Sequence, residues 1–246
     1  PIQVCFGMIP PSGVQRINLR IEIGDGAQAG VLAHCTFPHA RQIRHEMEAD
    51  IHVGRSARYA YYERHVHGAG GGVIVVPHSR VHVAEGGRFQ TDFELIRGRV
   101  GEIDIRLEAT GEADSSIEVN ARVSGVEDDR IRIEETAHLV GERARGVLNS
   151  MIALRGRARA EVLNTLTATA PLARGHVDCK EIVQGQARAR AVPIVEVRHP
   201  RAHVTHEAAI GSVDSKQLET LMSRGLSEDD AVALIIEGLL GGEMTR

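Results

Sequence analysis

Hydrophobic and polar residues alternate in short bursts through most of the first 200 positions of the chain. Each burst has about four to six residues and ends at a glycine or an Asp-Gly turn, as half-buried β-strands do. Clear examples are residues 17–23, 73–75, 103–107, 117–123 and 192–197. Because no segment before residue 200 has a helical stripe, the pattern predicts an all-β body.

A loose repeat accompanies these strands: an apolar residue, a glycine turn, and then small and apolar residues in alternation. It occurs around Gly24, Gly54, Gly86, Gly156 and Gly185, at irregular spacings. Such a repeat suits a β-solenoid, in which each turn buries its apolar face only by stacking on the next. A β-sandwich or jelly roll with unrelated hairpins also fits the alternation, so the pattern leaves both architectures open.

The C-terminal tail changes to a helical period. A first helix is expected from Asp214 or Ser215 to Arg224, and a second begins after Ser227. The apolar stripe of the second helix is predicted at Ala231, Leu234, Ile235 and Leu239. We therefore divide the chain into a β scaffold, residues 1–210, and a helical region, residues 211–246, which must pack on the body or on a partner.

Charge and composition exclude several classes of protein. The formal net charge of the 246 residues is −4, so no global basic field exists to hold nucleic acid or an anionic membrane. No run of 18 apolar residues is present, and no signal peptide is recognisable. The three cysteines are too few for a secreted disulfide scaffold, which favours a cytoplasmic protein with its thiols reduced or on metal.

Histidine is abundant, with 13 residues, and it is the commonest metal ligand in proteins. His34 precedes Cys35, His176 lies three positions before Cys179, and His206 adjoins Glu207. Adjacent turns of a solenoid lie about 4.8 Å apart, so ligands from different turns can converge on one metal. The alternative for each cysteine is an inert position in the core.

A second candidate metal site is the pair His65 and His67. Two residues apart on a strand, they share a face, which is the ligand spacing of a cupin-type site. The glutamate that a cupin motif requires after the second histidine is replaced by Ala69 to Gly72. A polar strand end before a flexible loop is the alternative, and the role of His45 is equally open.

The segment at residues 203–214, followed by the phrase MSRGLSEDDA at residues 222–231, resembles the C-terminal signature of the SufB/SufD family of iron–sulfur cluster assembly proteins. Upstream, Cys179 falls where SufB-like members carry a key cysteine. The whole chain looks most like the short archaeal SufB-type proteins.

This resemblance implies a right-handed parallel β-helix followed by a short helical hairpin. It implies a homodimer formed through the β-helix, with the helical region docking a SufC-like ABC-type ATPase that hydrolyses the ATP. The chain itself is then a cytoplasmic assembly scaffold and not an enzyme. It would carry a transient iron–sulfur cluster and meet a sulfur donor and apo acceptor proteins, without nucleic acid and without membrane insertion.

Residue by residue, the resemblance assigns Cys179, Glu207 and His206 as the ligand core, with Cys5, Cys35 and His34 as second-rank metal candidates. A mixed Cys/Glu/His set would release a cluster more readily than four thiolates would. Two alternatives compete with the scaffold. One is a SufD-like interaction subunit without cluster, and the other is a cupin-like mononuclear metalloenzyme that uses His65 and His67.

Overall fold

The computed structural model describes residues 1–241, which form fifteen β-strands followed by two α-helices. The strands are Ile2–Gly7 (β1), Ser12–Ile23 (β2), Gln28–Phe37 (β3), Gln42–Val53 (β4), Arg58–His67 (β5), Val73–Val83 (β6), Arg88–Arg97 (β7), Gly101–Gly111 (β8), Ser116–Gly125 (β9), Arg130–Leu139 (β10), Arg145–Leu154 (β11), Arg159–Ala168 (β12), Arg174–Val183 (β13), Arg188–Val197 (β14) and His203–Gly211 (β15). The helices are Ser215–Ser223 (α1) and Glu228–Leu240 (α2).

The strands form two parallel sheets that divide them by number. The odd sheet runs β1-β3-β5-β7-β9-β11-β13-β15, and the even sheet runs β14-β12-β10-β8-β6-β4-β2. The chain therefore crosses from one sheet to the other at every turn, which makes a parallel β-helix of about seven turns. The solenoid prediction is confirmed, and the sandwich and jelly-roll alternatives are wrong because neighbouring strands pair in parallel.

Two columns of turns explain the irregular glycine spacing in the sequence. Gly24, Gly54 and Gly86 lie in the column where the even sheet leads to the odd sheet, whereas Gly156 and Gly185 lie in the opposite column. In the first column a left-handed residue recurs in each turn, and its N–H donates to a carbonyl of the next turn. These residues are Gly26, Ser56, Gly86, Asp114, Arg143 and Leu172. The stacked turns thus continue the hydrogen-bond ladder of the sheets.

The core is a stack of inward-facing side chains, as the period of two requires. On β9, for example, Ile117, Val119, Ala121 and Val123 are all buried. Buried aromatic residues lie in the first turns, whereas the large apolar residues buried in the later turns are aliphatic. The outer faces carry ion pairs between neighbouring turns, such as Arg143 with Asp114 at 2.6 Å.

The two helices begin where the sequence predicts. Asp214 accepts a hydrogen bond from the Gln217 N–H at the start of α1, and Ser227 does the same for Asp230 at the start of α2. The predicted stripe of α2 is only partly right: Ala231 and Ile235 are buried, but Leu234 and Leu239 are 49% and 44% exposed. The other buried residues of α2 are Val232, Ile236 and Leu240.

That buried face packs on the outer side of the odd sheet, against side chains that point away from the solenoid core. Met151, Ala153 and Ile182 belong to this second apolar cluster. The Arg97 guanidinium on β7 also pairs with Glu237 on α2 at 2.5 Å. No helix among residues 1–241 is both long and apolar enough to cross a membrane.

The C-terminal end of the solenoid presents β14 and β15 as edge strands. Their apolar side chains are not covered: Ile194, Val197 and Ile210 are 43%, 47% and 52% exposed. Another chain could pair with the unpaired backbone groups of this edge and bury its apolar side chains.

Candidate functional site

Cys179 lies on the inward side of β13 and is fully buried. It is paired in register with Ser150 on β11, and side chains from the even sheet face it across the core. We call the surrounding polar cluster the C-terminal interior group; its members are Glu135, Ser150, Asn164, Cys179 and Glu181. As the alternation predicts, Cys179 and Glu181 share one face of β13.

The amide of Asn164 connects this group. Its nitrogen is placed to donate to the Glu135 carboxyl at 3.2 Å, and its oxygen to accept from the Ser150 hydroxyl at 2.8 Å. The Cys179 sulfur lies 3.7 Å from the same amide. Both carboxyl oxygens of Glu181 are buried without a hydrogen-bond partner.

Burial is the main cause of the pKa shifts in the C-terminal interior group. It raises the pKa of Glu135 to about 8 and the pKa of Glu181 to about 7. Burial, followed by the nearby Glu181 and Glu135 carboxyls, raises the pKa of the Cys179 thiol to about 12. Cys179 is therefore a thiol at neutral pH and becomes a ligand only if a metal displaces its proton.

Glu207 lies on the opposite face of the same sheet. It is exposed on β15, in register with Asp178, and with His176 these residues form what we call the outer group. One ligand atom from each lies within 4.8 Å of the others. Lys180 donates to Asp178 at 2.7 Å.

His206 is in register with the buried Val177 and so lies on the inward side of β15, where no further turn covers it. The proposed ligand core is thus distributed over two faces of the odd sheet. Cys179 and His206 take the inward positions, and Glu207 takes the outward one.

Cys35 belongs to a second cluster inside the first turns, the N-terminal interior group of Cys35, His45, Glu63 and His65. All four residues are at most 3% exposed, and one ligand atom from each lies within 4.8 Å of the others. The Cys35 sulfur is 3.7 Å from Glu63 Oε1, and His65 Nε2 is 2.7 Å from the same oxygen. His45 faces them from the even sheet.

In the N-terminal interior group, neighbouring charges as well as burial shift the pKa values. Burial would raise the pKa of Glu63, but the hydrogen bond and charge of His65 outweigh it, so the pKa is lowered. Burial and the neighbouring His65 lower the pKa of His45 to about 4. Burial and the Glu63 carboxylate raise the pKa of the Cys35 thiol far above its ordinary range.

The structure does not bring the remaining candidates to Cys179. Cys5 is exposed and pairs in register with His34 on the outer side of the first turn, away from Cys35. Between Cys35 on β3 and Cys179 on β13 lie five strand spacings of the odd sheet, about 24 Å. Within one chain, Cys5, Cys35 and His34 therefore lie far from the Cys179 site.

Comparisons with known proteins point to one family. Residues 11–239 match the family model described as "SUF system FeS cluster assembly, SufBD core domain". An iron–sulfur cluster assembly SufBD family protein of Methanocaldococcus jannaschii is 38% identical over 98% of this chain and 76% of its own length. A relative of the same description from Pyrococcus horikoshii is 34% identical over 98% of this chain and 73% of its own.

The chain belongs to the SufBD family. A third SufBD family protein, from Archaeoglobus fulgidus, is 25% identical over 98% of this chain and 64% of its own length. The resemblance read from residues 203–231 is thereby confirmed at the level of the family.

Membership of the SufBD family also corrects the cupin alternative. His65 and His67 do share a face, as predicted, and His65 Nδ1 lies 3.1 Å from His67 Nε2. They point into a parallel β-helix, however, and not into the mouth of a cupin barrel. The two-residue spacing identifies a shared face but cannot distinguish the two folds.

Several residues of these SufBD interior groups were missed or left unassigned from the sequence. From the sequence, His45 has no assigned role, and Glu63, Glu135 and Asn164 are not singled out. A signal was available, because each occupies an inward position of an alternating strand. Glu135, for example, continues the apolar face of Ile131 and Ile133. A charged residue at such a position marks a buried polar group.

Proposed function

We propose that this SufBD protein is the scaffold on which a nascent iron–sulfur cluster is assembled, with Cys179, Glu207 and His206 as the ligand core. One observation carries the proposal. The buried thiol of Cys179 and the metal-capable outer group lie on the last two strands of the odd sheet, at the end that a second copy can cover.

A homodimer through this end would complete the site. The edge strands β14 and β15 have unpaired backbone groups on one side, and Ile194 and Ile210 are exposed beside them. Pairing of two copies there would extend both sheets and bury these side chains. It would also place His206 and Glu207 of each copy beside the partner, so that ligands from two chains can meet.

The helical hairpin is the surface we assign to a SufC-like ATPase. Between α1 and α2 runs an apolar groove lined by Leu221, Leu234 and Leu239, with Lys216 at its rim. Since Leu234 and Leu239 face away from the β-helix, they are free to receive another protein. Closure of two ATPase subunits would then move the dimer interface through α2, which packs on β9 and β11.

The chemistry of the ligand set fits a cluster that is built and then released. At neutral pH the Cys179 thiol holds its proton, so binding of iron must release it, and affinity must fall as pH falls. An opening of the last turns would expose the thiol, and a return to the packed core would favour its protonated form. A site of this kind binds its cargo only while the interface is open.

Anaerobic reconstitution with ferrous iron and sulfide tests the proposal. We expect wild type to take up both and to develop a visible sulfide-to-iron charge-transfer band. Cys179→Ala and Glu207→Ala should each lose most of the bound labile sulfide. Matched controls are Cys5→Ala, an exposed thiol on β1, and Glu118→Ala, an exposed acid on the outer side of β9; both should retain it. Sulfide uptake equal in wild type and Cys179→Ala would overturn the assignment.

A SufD-like interaction subunit is the second candidate, and one observation favours it. Cys179 is buried beside Glu135 and Glu181, whose pKa values are raised by burial, and lies on the other face of the sheet from Glu207. In that case the protein would bind the ATPase through the hairpin but take up no sulfide. A Leu234→Asp variant would separate the two activities, because it should lose the ATPase while leaving any cluster uptake unchanged.

A further inference from the structure

We propose that the N-terminal interior group is a binding site for one divalent transition-metal ion such as Zn²⁺ or Fe²⁺. Its ligands would be the sulfur of Cys35, a carboxylate oxygen of Glu63 and one nitrogen each of His45 and His65. This site is separate from the proposed cluster site, about 24 Å away along the odd sheet, and it does not depend on the proposed function.

The four ligand atoms lie close enough together to converge on one tetrahedral ion. Bonds of about 2.0–2.3 Å to nitrogen, oxygen and sulfur place neighbouring ligand atoms about 3.3–3.7 Å apart. The Cys35 sulfur and Glu63 oxygen are already 3.7 Å apart. The Glu63–His65 pair, at 2.7 Å, must open, and the remaining pairs, all within 4.8 Å, must settle at the same separation when the ion binds.

An unsatisfied nitrogen points to a missing partner. His45 is 1% exposed; its Nδ1 is held by Gln15 Oε1 at 2.8 Å, whereas its Nε2 is buried without a hydrogen-bond partner. A buried polar atom left in this state costs free energy. A metal ion accepting the Nε2 lone pair would remove that cost and give the imidazole the usual arrangement of a ligand, one nitrogen on metal and the other on an oxygen.

Neighbouring side chains hold the other ligands in place. His67 Nε2 lies 3.1 Å from His65 Nδ1 and fixes the orientation of that ring. Phe37 and Phe93 pack on the imidazoles, with ring centroids 5.1 Å from His45 and 4.8 Å from His65. Such a shell excludes water and restricts the rotamers of the ligands.

Charge balance explains why these residue types occur together in an apolar interior. A thiolate and a carboxylate carry two negative charges, and one divalent ion cancels them, so the complete site is neutral. A neutral site avoids the large cost of burying net charge. Metal binding would release the proton of Cys35 to solvent.

The donor set selects the class of ion. Calcium and magnesium require oxygen ligands and are poorly matched by one sulfur and two imidazoles. Zn²⁺ and Fe²⁺ accept this mixture, and tetrahedral coordination is common for zinc. Gln15 is only half-buried, so displacement of its side chain gives an ion access to His45 from the first turn.

Cobalt(II) is the probe for this site, because its spectrum reports both thiolate ligation and tetrahedral geometry. The full chain, reduced and stripped of metal with a chelator, is titrated anaerobically with Co²⁺, and Zn²⁺ is then added as competitor. We expect one ion per chain with a thiolate-to-cobalt charge-transfer band and intense visible bands, both lost on Zn²⁺ addition. Cobalt bound at the outer group would lack the thiolate band.

Variants locate the ion. Cys35→Ser should abolish the thiolate band, and His45→Gln should weaken binding strongly. Cys179→Ser and Cys5→Ser should leave the titration unchanged. His67→Asn, which removes only a positioning residue, should weaken binding about 10–100-fold while keeping the band.

Three outcomes would overturn the proposal: no stoichiometric binding, binding without the thiolate band, or loss of the band in Cys179→Ser but not in Cys35→Ser. Should Cys35→Ser fail to fold, X-ray absorption of zinc-loaded Cys179→Ser decides the matter, because that variant lacks the other buried thiol. One sulfur at about 2.3 Å with three lighter ligands at about 2.0–2.2 Å supports the site, and a spectrum without sulfur contradicts it.

Discussion

The two interior groups occupy the same solenoid but differ in chemistry. In each, a cysteine on the odd sheet meets a fully buried glutamate, Glu63 in the first turns and Glu135 in the later ones. Glu63 has imidazoles for neighbours and its pKa is lowered, whereas Glu135 has a hydroxyl and an amide and its pKa is raised to about 8. Equal burial thus gives opposite charge states, because the neighbours decide which form of the acid is stable.

The side chains around the two interior groups also differ. Phe37 and Phe93 contact the imidazoles of the N-terminal group, whereas the strands that carry the C-terminal group have no Phe, Tyr or Trp of their own. Glu63 and Glu135 both line a cavity of about 40 Å³ between the sheets. The first turns therefore present a complete donor set for a metal, and the later turns keep a protonated acid and a thiol.

The largest contrast should appear in stability against pH. Because its folded-state pKa is raised from 4.5 to about 8, Glu135 stabilises the fold at low pH, and this contribution is lost as pH rises between those values. Glu135→Gln should match wild type near pH 5 and exceed its free energy of unfolding by about 3–5 kcal/mol near pH 8. Urea denaturation at a series of pH values, with a chelator present, measures this.

Glu63→Gln is the matched control and should behave in the opposite sense. Its lowered pKa contributes stability above the ordinary range of a glutamate, and this is lost as pH falls through the folded-state pKa. The variant should therefore be less stable than wild type at neutral pH and approach it only as pH falls below the ordinary range of a glutamate. Two variants with parallel pH profiles would contradict the difference in charge state between the groups.

Metal removal should affect only the N-terminal group. With free Zn²⁺ at a hundred times its Kd, native-state binding adds about 2.7 kcal/mol, which raises Tm by about 5–10 °C for a domain of this size. Calorimetry with and without chelator should show that rise in wild type and in Cys179→Ser. Cys35→Ser should show none, and a rise of the same size in that variant would place the zinc elsewhere.

The smallest effect concerns the hydrogen bonds of the C-terminal group. Ser150→Ala removes the hydroxyl between Asn164 and Glu135 and should cost about 1–2 kcal/mol of unfolding free energy. The cost should be greater at pH 8 than at pH 5, since the hydroxyl holds the Asn164 amide in the orientation that donates to the Glu135 carboxyl, and that hydrogen bond favours the ionised form. Ser124→Ala, a buried serine of β9 outside the group, is the control and should show no such pH dependence.

The sequence by itself determined the strands, the helix caps and the family. Alternation is enough for the strands, because the side-chain period of two is local, and Asp214 and Ser227 cap helices through contacts three residues away. The phrase at residues 222–231 identified the family without any structure. The same alternation placed Cys179 and Glu181 on one face of β13.

Only the tertiary structure decided which polar residues meet. The two columns of turns set the register, and register brought His45 of the even sheet to Cys35 and Glu63 of the odd sheet. It also put Cys179 and Glu207 on opposite faces, although β13 and β15 are neighbours. Residues about 30 positions apart meet only if the strands and turns between them have the right total length. The local sequence does not specify this total length, because turns of different composition span the same distance.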